Sequence, residues 1–243
     1  MLSFFKSKPK LAALIPEGYV DIHSHILPGI DDGAKNIEES NYLMKSLLEI
    51  GISKCITTPH TIEHVWDNTR ESIIEKFTEL QQLSNLTSEI QLEVASEYMI
   101  NETFMRLLQD EKLLTLKGNF VLVEMSYISP PIQLYEILFQ LQLAGYKPIL
   151  AHPERYTYYH SNFTEYEKLK KAGCYFQLNL LSVVGYYGPE TTQAAEKLLQ
   201  KGMIDFTGTD VHHSFHIKAF QNPVKIKSTT PLVVAMQNNS KFN

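Results

Sequence analysis

The feature that most constrains this chain is a repeated event: short apolar runs, spread along most of its length, that stop on a histidine or a carboxylate. Val20-Asp21-Ile22 runs into His23-Ser24-His25, and Lys54-Cys55-Ile56-Thr57 is followed by Thr58-Pro59-His60. The run from Ile90 to Met99 contains Glu97, Phe120-Val121-Leu122-Val123 stops at Glu124, and Pro148-Ile149-Leu150-Ala151 stops at His152. The last run, Ile204 to His212, carries Asp210 and His212 at its end. Runs of this length and composition read as strands buried on both faces. A carboxylate at the end of such a strand is costly unless it is paired or bound to a cation. In an extended strand His23 and His25 point to the same face, so two imidazoles stand side by side, which suits a metal ion.

Between these runs the periodicity turns helical, over Asn36 to Gly51, Asp67 to Leu86, Pro130 to Gly145, Glu165 to Gly173 and Pro189 to Gly202. A further strand run, Cys174 to Leu180, ends without an ionisable group; strands alternating with helices predict an α/β fold with a parallel sheet, and about seven strands fit a barrel better than an open sheet. Barrels gather their chemistry at the carboxyl ends of the strands, where distant segments converge. Neither GxGxxG nor GxxxxGK[ST] opens the first strand-helix turn, so the nucleotide-binding doubly wound folds lose support.

A single domain is expected at 19–243, because 243 residues with 44% hydrophobic content can bury one sizeable core. Residues 1–18 read as an amino-terminal extension, a somewhat basic, disordered leader carrying Lys6, Lys8 and Lys10. No apolar run approaches the ~18 to 20 residues of a spanning helix, so no stable membrane insertion is expected and the protein reads as cytoplasmic. A net charge of -5 argues against a nucleic-acid binder. Cys55 and Cys174 lie in apolar runs without CxxC spacing and read as buried reduced thiols. The polar tail from Lys218 holds one apolar patch, Leu232 to Met236, which reads as a terminal packing helix. The oligomeric state stays open.

The polar residues collected at strand ends are His23, His25, Asp32, His60, Glu97, Glu124, His152, Asp210 and His212. Five imidazoles and four carboxylates exceed what one ion can use and suit a cluster of two or three metals. A set without thiolate that mixes imidazole and carboxylate favours Mn, Fe or Zn over Mg and Ca.

The order of these motifs is HxH, Asp31-Asp32-Gly33, Thr58-Pro59-His60, Glu97, Val123-Glu124, Ala151-His152-Pro153-Glu154-Arg155 and Thr209-Asp210-Val211-His212. It resembles the polymerase-and-histidinol-phosphatase (PHP) superfamily. Within it, Asp21 to Ala34 and Ala151 to Tyr156 are similar to the bacterial capsule-operon tyrosine phosphatases. The resemblance runs from about Tyr19 to His212. It implies a distorted (β/α)7 TIM-like barrel and a manganese-dependent protein-tyrosine phosphatase working by metal-activated hydroxide, with histidinol-phosphate phosphatase as the alternative. It also implies metal-ligand roles for the nine residues, phosphate binding by Arg155, and a catalytic pair of Arg155 and Asp210. The implied partner is a tyrosine-phosphorylated protein, an autophosphorylating tyrosine kinase of capsular or extracellular polysaccharide export. One departure stands out: the related enzymes carry an arginine several residues after the final Asp-x-His. Here Lys218, or else His216, is expected to supply the second substrate contact.

Several residues receive plainer readings. Asp31 is expected as a turn residue, and His64, His160, His213 and His216 as rim or surface groups. Trp66 is expected to pack a core or loop. Tyr156, Tyr158 and Tyr159 fit an aromatic edge for a peptide as well as helix packing. The cysteine-nucleophile route, in which an arginine follows six residues after the cysteine, is absent: Thr61 stands there after Cys55 and Leu180 after Cys174.

Overall fold

The computed structural model describes residues 8–110 and 112–243. Its strands are β1 (Val20–Asp21), β2 (Lys54–Thr57), β3 (His60–Thr61), β4 (Gln91–Val94), β5 (Glu97–Met99), β6 (Phe120–Glu124), β7 (Lys147–Ala151), β8 (Tyr175–Asn179) and β9 (Phe206–Gly208). The helices are α1 (Ile37–Glu49), α2 (Arg70–Leu83), α3 (Phe104–Asp110), α4 (Leu134–Leu143), α5 (Thr164–Lys171), α6 (Pro189–Gln200), α7 (Ser214–Ala219) and α8 (Thr230–Asn238). Every strand pair is parallel, in the orders β1-β2-β4 and β3-β5-β6-β7-β8-β9.

The two sheets are one interrupted sheet. β2 and β3 belong to one run broken at Thr58-Pro59, where proline offers no N–H to the ladder, and β4 and β5 to another broken at Ala95-Ser96. Merging those two pairs turns nine short strands into seven runs. Backbone bonds carry across the breaks: Thr58 N donates to Ser24 O (2.7 Å), Ala95 N to Thr57 O (2.9 Å) and Glu97 N to Pro59 O (3.0 Å). The last run returns to the first through a parallel bridge between Ser24 and Val211, with Asp210 N on His23 O (2.7 Å) and His25 N on Val211 O (2.9 Å). The result is the expected distorted barrel.

Alternate residues of β6 show why these runs are apolar throughout. Phe120 and Leu122 join the inner cluster with Val20, Ile22, Ile56, Ile149 and Phe206, whereas Val121 and Val123 face the layer under the helices. Glu124 continues the inner-facing parity to the carboxyl rim.

Some expectations change. The amino-terminal extension is packed from Lys8 onward, not disordered: Leu11 is fully buried, Leu11 N and Ala12 N donate to Asn222 O (3.1 Å) and Phe220 O (2.9 Å), and Val224 N donates to Pro9 O (3.0 Å). Burial of Leu11 and these bonds to a remote segment offset the ordering cost. Residues 1–7, including Lys6, lie outside the described residues. α3 was not foreseen. Cys55 and Cys174 are buried and free, as expected. Among the described residues, no helix is long and apolar enough to cross a membrane.

Candidate metal centre

All nine expected ligand residues meet at the carboxyl rim. They form four overlapping groups whose donor atoms lie within 4.8 Å of one another: His25-Asp32-His60-His212, His23-His25-Asp210, His23-Glu97-His152 and His60-Glu97-Glu124.

Strand geometry and two glycines bring them there. His152 and Asp210 follow β7 and β9 with left-handed backbone (φ 37° and 50°), a conformation costly for non-glycine residues that cuts each strand short at the rim. A Cβ on Gly33 would stand 2.2 Å from His25 O and 2.5 Å from His25 Cβ, and one on Gly208 would stand 2.6 Å from His23 Cβ. Only glycine lets those segments approach the HxH strand so closely.

The hydrogen bonds reveal tautomers. His23 Nδ1 donates to Gln177 Oε1 (2.8 Å), His25 Nδ1 to Asp31 Oδ2 (2.8 Å) and His212 Nδ1 to Asp210 O (2.9 Å). Each ring therefore presents its Nε2 lone pair to the cluster. His23 Nε2 and His25 Nε2 face each other at 3.2 Å, and Asp210 Oδ1 lies 3.3 and 3.4 Å from them. Lone pairs aimed at one another and at a carboxylate repel unless a cation lies among them. A cation with bonds of ~2.1 Å sets its ligand atoms about 3.0 to 3.4 Å apart, so the spacing fits. Glu97 bridges the groups, with Oε1 3.1 Å from His152 Nε2 and Oε2 3.1 and 3.2 Å from His23 Nε2 and His60 Nδ1. His60 Nδ1 and Glu124 Oε1 stand 2.8 Å apart, and neither buried atom makes a well-formed hydrogen bond. A cation would satisfy both. Because His23 and His25 each have one nitrogen free, the overlap keeps the number of ions below the number of groups.

Charge is distributed unevenly. Burial works against ionisation of Glu97 and Asp210, yet neighbouring imidazoles, His23 foremost, hold both well below the usual carboxylate range. Burial and repulsion from Glu97 push Glu124 up. Burial opposes protonation of His60, but Glu97 and Glu124 raise it to about 9, whereas burial, with the Arg155 charge, lowers His152 to about 4.

Arg155 sits at the cluster's edge on a short 3-10 turn, Pro153–Arg155. Its guanidinium lies between Tyr127 and Tyr187, 4.7 and 4.2 Å from the ring centroids, and Nη1 donates to Asp210 Oδ2 (2.9 Å). Asn179 Nδ2 donates to the same oxygen (2.7 Å), which leaves Oδ1 to the imidazoles. A cavity of about 230 Å³ opens over the cluster, walled by Tyr127, Tyr187, Arg155, His213 and His216.

Sequence reasoning missed Tyr127, Tyr187, Gln177 and Asn179, and gave Asp31 too little. Asp31 is buried, orients His25 and accepts from His60 N (3.1 Å) and Gly33 N (2.9 Å). Lys218 does not line the cavity; it is exposed, with its ammonium 5.1 Å from the Phe215 ring centroid. Residues two positions apart on a helix differ by about 200°, so with His216 facing the cavity, Lys218 of the same helix faces away. Tyr156, Tyr158 and Tyr159 are packing residues: Tyr156 Oη accepts from Met125 N (2.9 Å) and Tyr158 Oη donates to Ser126 O (3.0 Å), pinning the loop that carries Tyr127. Trp66 lines a separate groove beside Arg106.

A ring of parallel strands whose carboxyl rim gathers imidazoles and carboxylates beside a guanidinium defines a barrel with a candidate metal centre at its carboxyl end. The chain belongs to the CpsB/CapC family of capsular polysaccharide synthesis, whose profile matches residues 19–224. It is 29% identical over 197 residues to the tyrosine-protein phosphatase YwqE of Bacillus subtilis, across 80% of this chain and 77% of that protein. With the tyrosine-protein phosphatase CpsB of Streptococcus pneumoniae it shares 25% identity over 201 residues, across 80% of this chain and 83% of that one. A structure from the pair YwqE of B. subtilis and CpsB of S. pneumoniae, described as unique metal-dependent tyrosine phosphatases, superposes with a TM-score of 0.74 at 28% identity. It covers 83% of this chain and 84% of that one. An amidohydrolase from Mycoplasma synoviae (TM-score 0.51, 12% identity, 98% and 99% covered) shares the fold alone.

Proposed function

We propose that this chain is a metal-dependent protein-tyrosine phosphatase acting within polysaccharide synthesis, its domain spanning 19–243. The observation that carries the reading is the juxtaposition of nine metal-ready side chains with one guanidinium held between two tyrosines. His23, His25, Asp32, His60, Glu97, Glu124, His152, Asp210 and His212 would hold the cations, with manganese first and iron or zinc as substitutes, since the donors are all nitrogen and oxygen. Cations held there would supply positive charge for the phosphoryl oxygens and would lower the pKa of a water towards neutrality.

The remaining work falls to side chains. Arg155 keeps further N–H groups beyond the one given to Asp210, and the two rings fix the plane of its fork, so it grips two oxygens of a phosphate in one orientation. Asp210 stays ionised and joins Arg155 to the imidazoles. Tyr127 and Tyr187 offer faces for a phenol ring, and they narrow the entrance against water. A tyrosinate leaving group, with a parent pKa near ~10, departs with less proton assistance than an alkoxide. If all four ligand carboxylates are ionised, three divalent ions leave a net +2, the charge a phosphomonoester dianion complements, which favours three ions over two.

The proposed substrate is a tyrosine-phosphorylated protein, with an autophosphorylating kinase of polysaccharide export as the natural candidate and the cytoplasm as the place they meet. The test offers phosphotyrosyl peptide, histidinol phosphate and short single-stranded DNA, each with Mn and with chelator. Chelator-sensitive turnover of the phosphotyrosyl peptide is expected; fast turnover of histidinol phosphate with none of the peptide would overturn the assignment.

A further inference from the structure

A cavity of about 230 Å³ takes a side chain, but a protein substrate must continue past it on both sides. Beside the cavity, between α1 and α7, lies a groove of about 540 Å³ that shares Asp32, His212 and His213 with it. Its floor is Leu43, which is 1% exposed, and its walls are Tyr42 and Phe215, which are 44% and 65% exposed. Two aromatics and a buried leucine thus make one apolar surface beside the cavity, with the Lys218 ammonium 5.1 Å from the Phe215 ring centroid. Beyond the shared Asp32, the rim carries one charge of each sign, Lys35 and Glu39, with the Glu39 carboxylate already accepting from the Lys35 backbone N–H (3.0 Å). The groove therefore selects by apolar contact and not by charge. Two other grooves nearby, over Trp66 and over Pro130–Ile132, share no lining residue with the cavity.

We propose that the groove between α1 and α7 is a second substrate subsite, which receives an apolar or aromatic side chain of the polypeptide flanking the phosphotyrosine. The inference rests on reading the cavity as the phosphotyrosine site. An extended peptide advances about 3.3 Å per residue, so a side chain one to three positions from the phosphotyrosine reaches a groove that starts at the cavity wall. Burying such a side chain between two rings is worth about 10- to 100-fold in kcat/KM.

The experiment measures kcat/KM of the full metal-loaded chain on two phosphotyrosyl peptides of equal charge, one flanked by Leu and Phe and one by Gly and Ser. p-Nitrophenyl phosphate is the third substrate. The readout is the ratio between the two peptides, so each protein is its own reference. The wild type is expected to favour the apolar-flanked peptide by about 10-fold or more. Tyr42→Ala with Phe215→Ala is expected to bring the ratio close to one, and Tyr42→Lys alone, a charge placed on the wall, to lower it several-fold. A wild-type ratio near one, or a ratio that survives these substitutions, overturns the subsite. So does a loss that falls equally on all three substrates, since a merely structural role gives that pattern. Failure of the wild type to turn over any phosphotyrosyl peptide while hydrolysing another phosphoester defeats the phosphatase reading first, and that outcome is distinct from a ratio of one.

Discussion

Replacing Arg155 by alanine tests the proposed phosphate contact most directly. The side chain is 21% exposed, lies between two tyrosine rings and gives Nη1 to Asp210 Oδ2 at 2.9 Å. A hydrogen bond involving a charged group contributes roughly 1.5 to 3 kcal/mol. Two such bonds from a fork whose orientation is already fixed come to about 3 to 6 kcal/mol, or on the order of 10²- to 10⁴-fold in kcat/KM. The substitution should spare the metal cluster. Asn179 Nδ2 still donates to Asp210 Oδ2 at 2.7 Å, and none of the nine ligands is removed. Arg155→Lys keeps the charge but loses the fork and most of the stacking, so it is expected between wild type and alanine, about 10-fold below wild type. The assays are kcat/KM on a phosphotyrosyl peptide, inhibition by inorganic phosphate, and metal content by elemental analysis. Alanine activity within about threefold of wild type would refute the contact, as would metal loss in proportion to activity.

Gly33→Ala would drive a Cβ to 2.2 Å from the His25 carbonyl oxygen. Thermal unfolding and elemental analysis should both show the damage, several kcal/mol less stability and a depleted metal site; a native melting point with full metal would show that the loop gives freely. Asp31→Asn keeps the shape beside His25 and removes the charge, so metal affinity is expected to fall about 10- to 100-fold, and an unchanged metal titration would reduce Asp31 to a turn residue. Burial pushes the Glu154 carboxyl up to about 7, while in the unfolded chain it titrates near ~4.3. The native state therefore keeps a proton that the unfolded state has lost, and the stability this group contributes at low pH disappears as pH rises through about 7. Glu154→Gln should gain on the wild type by on the order of 3 kcal/mol between pH 4 and pH 8 in urea unfolding; a difference that stays flat with pH would show that Glu154 ionises freely.

The candidate ligands are a local property of this chain, and their orientation is not. Each of the nine residues could be read because it ends an apolar run or opens the turn beyond it, and an acid or imidazole in that position has few inexpensive alternatives. The groups that aim them left no such trace. Gln177 sits in the middle of Tyr175–Asn179, and only its register, opposite Ala151 on one side and Phe206 on the other, brings its amide to His23. Asn179 reaches Asp210 for the same reason, one strand over. Tyr127 and Tyr187 look like ordinary loop aromatics until Arg155 lies between them. Lys218 was misjudged because its charge was legible and its direction was not, since helical phase and not composition turns it outward. The amino-terminal segment followed the same rule: Pro9 to Ala12 gains its order from Phe220 to Val224, a contact that no local pattern announces. Closure of the ring through Ser24 and Val211 is the step that converts a list of donors into a site. Asp210 N on His23 O and His25 N on Val211 O fix the last strand against the first, and with that register set, the lone pairs of His23 and His25 have only the cluster to point at.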